Sequence, residues 1–588
     1  MTDSSGSSAS RVPLFDLTDQ PWIGVLKRDG TQAELSLRQA FAQAGDVRRI
    51  VGDLPTQEFA LVRLLLAIAH DTLDGPEDID RWGELWADPD CFAGVGAYLD
   101  AHRERFDLFH PVMPFFQTAG LRTAKGEVFS LARIVADVPN GEAFFTARMP
   151  TVERLTFAEA ARWVVHAHAY DTSGIKSGAV GDDRVKGGKV YPLGTGWAGA
   201  LGGVIAEGDT LRETLLLNLV AADTDALEWT SGDRPAWRRE PSPPGGGERT
   251  PTGVRDLYTW QTRRLRLHHD GEGVTGVVLG YGDPLASRNM HRREPMTAWR
   301  RSLTQEKKLH QSPVYLPREH DPARSAWRGI ASLIAERSEG VQSGEAASYL
   351  PPGVLEWVAR LVTEGELPRG FLIRARVIGA RYGTQQSVID EVVDDHVAMP
   401  VVLLHRQDRV CARQAIGAAE DADLAVRALG DLATDLARAA GAEGDGPRAV
   451  ARDLGFAELE NPYRTWLVAL ADAGDPFEER RAWQQRVHRI VSQVGDRLVF
   501  QAGDAAWQGR TVAGKKGAQW LSAGLAERWF RVRLSKALGD PRGTGGQSGD
   551  GPAGTGPLPS AGPDPSAGPD PSDAVPADSF VTDSEVPA

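Results

Sequence analysis

The chain opens on alternating apolar and polar positions and ends, before a low-complexity tail, on long stretches with the 3.6-residue period of helices. Phe15 to Leu26 and Glu34 to Leu37 flank the turn Lys27-Arg28-Asp29-Gly30 and predict a β-hairpin closed by its Asp-Gly pair. Leu54-Pro55-Thr56 then starts a helix, Gln57 to Leu73, that is apolar on nearly every face and must therefore be buried. Further helices are expected at Asp78 to Trp86, Ala93 to Arg103 and Phe157 to His168, the last opened by Thr156 with Glu159 as a capping box. Val138-Pro139-Asn140-Gly141-Glu142 reads as a turn-rich loop. Leu211 to Val220 reads as a helix and Gly253 to Gly282 as strands, with a Pro/Gly loop, Gly232 to Gly253, before them. From about Val402 helical patterns at Val402 to Ala440, Pro447 to Leu470, Pro476 to Phe500 and Gln519 to Leu538 are joined by short breakers, as in a bundle. The fold class is α+β. Residues 1–12 are a disordered extension, 13–400 a large mixed α/β domain, 401–538 a four-helix bundle and 539–588 a Gly/Pro/Asp-rich acidic tail with too little apolar surface to form a core.

Composition narrows the function classes. At 588 residues, 41% hydrophobic and 25% charged, the chain resembles an ordinary globular protein large enough for two or three domains. Its nearest approach to a membrane span, Phe59 to Ile68, is too short and carries Arg63, so no membrane partner is expected. The Ser-rich start has neither a basic nor an apolar signal region, which points to the cytoplasm. Cys91 and Cys411 make no disulfide framework or zinc spacing, and both read as buried small apolar residues. A net charge of −14 argues against nucleic acid, but from Pro541 onward seven acids face one arginine, so about −6 sits in the tail. Conversely Arg255 to His310 is basic, from Arg263 and Arg264 through Arg288, Arg300 and Arg301 to Lys308, with Tyr258, Trp260 and Trp299 interleaved. Such a run is either a solvated face or a phosphate-binding stripe.

One segment stands apart. Gly174 to Gly208 holds eleven glycines in thirty-five residues, with Lys176, Arg184, Lys186 and Lys189 among them. Glycines this dense read as unsuited to core packing, since each adds no side chain and costs much backbone entropy to fix. Two readings stay open here: a long flexible loop, or a surface whose N–H groups and ammonium donors lie against phosphates or a groove. Gly194-Thr195-Gly196-Trp197-Ala198-Gly199 matches the dinucleotide pattern, and a nucleotide- or dinucleotide-dependent enzyme is the alternative function it supports. Pro192 before it and Gly202-Gly203 after it are wrong for the strand and helix that pattern needs. Gly187-Gly188-Lys189 lacks the leading glycine and the Ser or Thr of a phosphate loop, having Asp183 and Val190 instead. His166 and His168, two apart on a helix, point to different faces, which predicts one packed and one exposed ring. Asp394-Asp395-His396 and Arg318-Glu319-His320-Asp321 have the residue types of a metal or acid/base site but no partners at diagnostic spacing. No catalytic residue, metal or cofactor is expected.

Several stretches together carry a resemblance. Phe15-Asp16-Leu17-Thr18-Asp19-Gln20-Pro21-Trp22-Ile23, Leu54-Pro55-Thr56-Gln57-Glu58-Phe59, Arg105-Phe106-Asp107-Leu108-Phe109-His110-Pro111 and Pro114-Phe115-Phe116 are similar to the CasA family, the large subunit of the type I-E CRISPR Cascade surveillance complex. Tyr170 to Lys176 and Gly208 to Leu215 agree, and the likeness runs from about residue 13 to 538. The resemblance implies a protein without catalysis of its own. Such a subunit recognises the protospacer-adjacent motif (PAM) in double-stranded target DNA, starts strand separation for the R-loop and serves antiviral defence. Implied partners are the crRNA, the backbone, 5′-handle-binding and small subunits of Cascade, and the helicase-nuclease.

The resemblance also places elements. The family's glycine loop, which enters the minor groove beside the motif, falls at Lys186, Gly187, Gly188 and Lys189. Its glutamine wedge falls at Thr384-Gln385-Gln386, with Gln385 the first candidate and the choice between the glutamines open. A groove-reading basic side chain is expected at Arg301, with Arg300 as its rival. The loop that contacts crRNA and a neighbouring subunit corresponds to Val138, Pro139 and Asn140 and runs on to Phe145. In the bundle, Arg510, Lys515, Lys516, Arg528, Arg531 and Arg533 are candidates to follow displaced DNA or, equally, a solvated face.

Overall fold

The helix Pro55–Leu73 sets the centre of the N-terminal part, because a helix apolar all round can only be enclosed. The structure is a computed structural model that describes residues 14–136, 138, 151–224, 227–335, 346–404, 409–472, 474–514 and 517–538. The few charges on this helix are paired internally. Arg63 donates to both carboxylate oxygens of Glu294 at 2.9 and 2.8 Å, and Glu58 accepts from Arg376 at 2.7 Å. Bidentate geometry of this kind offsets the desolvation of a buried guanidinium. Packed around the helix are Val95–Ala101, Val254–Tyr258 and Phe157–Tyr170, the last with both arms of its Thr156/Glu159 capping box formed.

The expected first hairpin is present as Ile23–Lys27 and Gln32–Leu35, joined by Val47–Ile50 into a three-stranded antiparallel sheet. It is shorter than the apolar pattern suggested. The chain before Ile23 is irregular, held by Trp22, whose indole donates to the Leu17 carbonyl at 3.1 Å. Gly253 to Gly282 is likewise strands only in part: Val254–Tyr258 is helical, and Arg263–His269 pairs with Val274–Tyr281. A long antiparallel hairpin, Leu372–Tyr382 with Ile389–Pro400, takes Gly203–Glu207 as a third strand. A further sheet centres on Trp299–Arg301, flanked by Tyr315–Pro317 and Tyr349–Leu350.

The C-terminal part is the expected bundle: Val410–Ala440, Gly446–Ala469, Pro476–Phe500 and Ala523–Leu538. Ala412, Ala415, Ala418, Ala422 and Ala425 are buried on the first helix, and such small residues let its neighbours approach closely. That helix starts at Val410 rather than Val402, because Val401–Leu404 makes a separate short turn. Residues 519–521 belong to a hairpin, Arg510–Gly514 with Gly517–Leu521, ahead of the last helix. Trp327 ties bundle to body: it stacks on Tyr463 at 4.4 Å and its indole donates to Glu460 at 2.7 Å.

Candidate nucleic-acid interface

Between Asp171 and Gly196 the chain leaves the core and returns. Lys176–Ser177 pairs with Lys189–Val190, and beyond them Lys186 and Lys189 exchange two backbone hydrogen bonds of 2.8 and 3.1 Å around Gly187-Gly188. Gly187 and Gly188 have φ of +57° and +76°, so both central residues are left-handed, the arrangement of a two-residue type I′ turn. A Cβ at either would meet nothing within 4 Å, and all four residues are exposed. The tip is a narrow strip of bare backbone between two ammonium groups.

Most of the remaining glycines do the opposite. A Cβ on Gly196 would stand 2.3 Å from the Ala169 carbonyl carbon, on Gly199 2.0 Å from the Tyr382 hydroxyl, and on Gly202 2.1 Å from the Arg318 carbonyl oxygen. Glycine density here is core packing where backbones cross, which corrects the expectation that it could not be. The second and third glycines of the Gly194–Gly199 pattern are thus packed against the protein, and the third lies inside the short turn Trp197–Ala200 instead of opening a helix. Two of the four cations are also internal. Lys176 Nζ lies 2.7 Å from the Asp171 carboxylate, and Arg184 donates to Asp182 and to the Tyr281 and Gly282 carbonyls. Although burial alone would raise the Asp171 pKa, Lys176 and Arg263 hold it below the ordinary carboxylate range.

The glutamines sit at the turn of the long hairpin. Gln385 and Gln386 have φ of 55° and 54°, a left-handed pair that costs roughly 1–2 kcal/mol per non-glycine residue unless the surroundings fix it. The fixing bonds are Gly383 N–H to Val388 O at 3.0 Å, Gln386 N–H to Gly383 O at 2.9 Å and Ser173 N–H to Gln386 O at 2.8 Å. Thr384 and Gln385 are exposed; Gln386 is half-buried and lines a cavity of about 240 Å³. Gly194, Thr195, Arg288, Gln305 and Pro317 line the same cavity, which brings the root of the glycine hairpin beside the glutamine turn.

Arg301 is engaged within the protein. Its Nε and Nη2 donate to the two Glu306 oxygens at 2.6 and 3.0 Å, and this pairing pulls the Glu306 pKa down to about 2. Arg300 stands opposite Leu316 in the strand register, and directly opposed residues share a face.

The Arg255–His310 stripe is only partly a surface. Arg255, Arg263, Arg264, Tyr258, Trp260 and Trp299 are buried, with Arg264 2.6 Å from Asp283. Arg288, Arg292, Lys307 and Lys308 are exposed. In the bundle, Arg510 donates to the Ala439 and Ala440 carbonyls, and Arg531 and Arg533 pair with Asp496 and Asp435. Arg528 is exposed, while Lys515 and Lys516 lie outside the described residues. Of the proposed crRNA loop, Val138 is buried in the core and Pro139 and Asn140 lie outside the described residues.

His166 and His168 are both buried, correcting the expectation of one exposed ring. They bond Thr56 Oγ1 at 3.0 Å and the Phe116 carbonyl at 2.8 Å. Asp394 pairs with Arg376, Asp395 with Arg464, and His320 with the Gly203 carbonyl, so the polar clusters of the sequence are structural ties. Cys91 is buried as expected and Cys411 half-buried. No group of three or more metal-ligating side chains and no helix long and apolar enough to cross a membrane occurs among the described residues.

A family profile described as CRISPR-associated protein Cse1 matches residues 16–494. The CRISPR-associated protein CasA/Cse1 of Thermus thermophilus is 30% identical over 478 residues, spanning 78% of this chain and 83% of its own. The crystal structure of Thermobifida fusca Cse1 shares 59% identity with a TM-score of 0.82, covering 90% of this chain and 98% of that one. A chain from a CRISPR RNA-guided surveillance complex shares the fold, with a TM-score of 0.59 at 18% identity over 82% of this chain and 98% of its own.

Proposed function

Because the chain belongs to the CRISPR-associated protein Cse1 (CasA) family, we propose that it is the non-catalytic DNA-recognition subunit of a crRNA-guided Cascade complex. In this reading the Lys186–Lys189 tip enters the minor groove beside the motif. That groove is about 6 Å wide and presents a degenerate pattern, so it admits bare backbone more readily than branched side chains and tolerates related motifs. Gln385, exposed at the hairpin turn, pushes under the first base pair to be opened. Gln386, turned toward the cavity, ties the turn down through its backbone, whose carbonyl accepts from the Ser173 N–H. The groove-reading basic side chain lies on the strand Trp299–Arg301, at Arg301 or its neighbour Arg300. Guide pairing then supplies sequence specificity, as in other RNA-guided systems. The partners are crRNA, the backbone, handle-binding and small subunits, and a helicase-nuclease that docks on the assembled complex.

The observation that carries the reading is the exposed, left-handed two-glycine tip between lysines, rooted beside a left-handed glutamine turn. Its test is Gln385→Ala in the assembled complex. Opening of motif-bearing duplex should fall well below wild type, while binding to the same target with a pre-melted bubble is largely kept. Equal losses on both substrates would refute the wedge.

A further inference from the structure

The groove-probing tip and the glutamine turn lie far apart in sequence, yet their roots meet on one buried guanidinium. Arg263, on the strand Arg263–His269, is 2% exposed. Its Nη2 donates to the carbonyls of Asp171 at 2.9 Å, Thr172 at 3.1 Å and Gly194 at 3.0 Å, and Nη1 to Thr262 at 3.0 Å. Nε donates to the Asp171 carboxylate. One side chain thereby grips both ends of the excursion that ends in the tip. Beneath it lies the ring of Tyr281, 4.8 Å from the guanidinium carbon. The Tyr281 hydroxyl donates to the Gly174 carbonyl at 2.7 Å and accepts from the Gly174 N–H at 3.0 Å.

Ser173 sits inside this grip and reaches across to the other hairpin. Its N–H donates to Gln386 O at 2.8 Å, and its Oγ accepts from Gly194 N–H at 3.3 Å. On the opposite flank of the turn, the Tyr382 hydroxyl donates to the Tyr170 carbonyl at 2.7 Å. The glutamine turn is thus bonded, before and after, to residues 170–173, which Arg263 immobilises. A buried arginine whose three nitrogens all donate to oxygens is a geometric device, because its fixed planar fork holds several carbonyls at once where a lysine would hold fewer.

We propose that Arg263, aided by Tyr281 and Ser173, is a positioning residue that fastens the tip and the glutamine turn into one rigid reading head, so that motif contact at Gly187 is felt at Gln385. This rests on the proposed DNA-recognition function and adds a coupling to it. Without the staple each hairpin contacts DNA on its own, and reading the motif no longer promotes opening.

The experiment uses the full complex with its guide and four targets: single strand, motif-bearing duplex, motif-less duplex and pre-melted duplex. In the wild type, Gly187→Asn and Gln385→Ala combined should weaken duplex binding by less than the product of their separate fold-losses. With Arg263→Lys the losses should become multiplicative and motif preference fall about tenfold, while single-strand binding stays within about twofold. Tyr281→Phe, which removes only the hydroxyl, should act in the same direction, and it serves as the probe if the lysine variant does not assemble. If Gly187→Asn and Gln385→Ala each leave motif binding untouched, the functional reading itself fails. If they act but the combined loss is the same with and without the staple variants, the coupling alone is overturned. A parallel drop in single-strand binding also overturns it, since that makes Arg263 a general stabiliser.

Discussion

Gly187→Asn separates the two things glycine lends the tip, a left-handed backbone and the absence of a side chain. The φ of +57° would strain most residues by about 1–2 kcal/mol, but asparagine visits this region readily. A Cβ at Gly187 meets nothing within 4 Å, so the isolated chain should fold with a stability change of a few tenths of a kcal/mol. Against DNA the balance reverses. In a groove about 6 Å wide, the added carboxamide must displace either the backbone strip or the groove wall. Losing the tip's contacts should cost on the order of 1–3 kcal/mol, or roughly 5- to 150-fold in affinity at 1.4 kcal/mol per tenfold. The assay is competition between motif-bearing and motif-scrambled duplexes for the assembled complex, alongside thermal unfolding of the chain. A variant with unchanged melting temperature and intact motif preference would refute groove insertion.

Gly196→Ala should give the complementary phenotype: its Cβ would lie 2.3 Å from the backbone of Ala169, so overpacking of about 1–3 kcal/mol or more should lower the melting temperature and the yield of folded chain. Gln386→Gly should raise stability by about 1 kcal/mol, because glycine takes the left-handed conformation without strain, and should keep duplex opening near wild type. A loss as large as that of Gln385→Ala would instead make Gln386 the wedge. Exchanging Lys186 and Lys189 together for glutamine should reduce the slope of log affinity against log salt by about two, and an unchanged slope would remove both from the phosphates. Burial holds the pKa of His70 and His166 near 3 and that of His168 and His320 near 4, against an ordinary 6.5. The unfolded chain therefore binds more protons below pH 6.5, and stability is complete above that value and lost as pH falls toward 4. Each ring contributes roughly 1 kcal/mol of this loss at pH 5.5, so thermal unfolding at pH 7.5 and 5.5 should differ by several degrees.

The sequence carried the parts of the fold whose causes are local. The helix Pro55–Leu73 is apolar around its whole circumference, the Thr156/Glu159 box caps the helix after it, and Asp29-Gly30 closes the first hairpin. Glycine density marked an unusual segment but could not sort its members, because Gly187 and Gly196 are the same letter in opposite surroundings. What separates them is Ala169, packed against one and absent from the other. The basic stripe misled for a similar reason. Arg263 and Lys176 find their common carboxylate in Asp171, which is 92 residues before the arginine, so charge spacing along the chain said nothing of their burial. Neither left-handed position of the glutamine turn is the glycine or asparagine that marks such backbone in sequence. Its conformation is imposed by Ser173, more than two hundred residues earlier, and only the family resemblance pointed to it.

That imposed conformation bears on how the proposed wedge would help open a duplex. Replacing DNA pairing by guide pairing is nearly balanced in free energy, so the barrier lies in the first unstacked step, a few kcal/mol. A flexible turn would have to order itself at that moment, at about 1–2 kcal/mol for each residue fixed, roughly doubling the barrier for a two- or three-residue wedge. The left-handed strain at Gln385 and Gln386 is of similar size per residue, but it is borne when the chain folds, offset by the Ser173, Gly383 and Val388 bonds and the packing beneath them. On the proposed reading, strain in the free protein stands in place of disorder at the encounter, so that the wedge would meet DNA already shaped. The same reasoning explains why net charge is a poor guide here. If the proposed DNA contact holds, a chain of −14 needs only a few exposed cations around the tip, since phosphates respond to the local field within about 10 Å at 0.1 M salt.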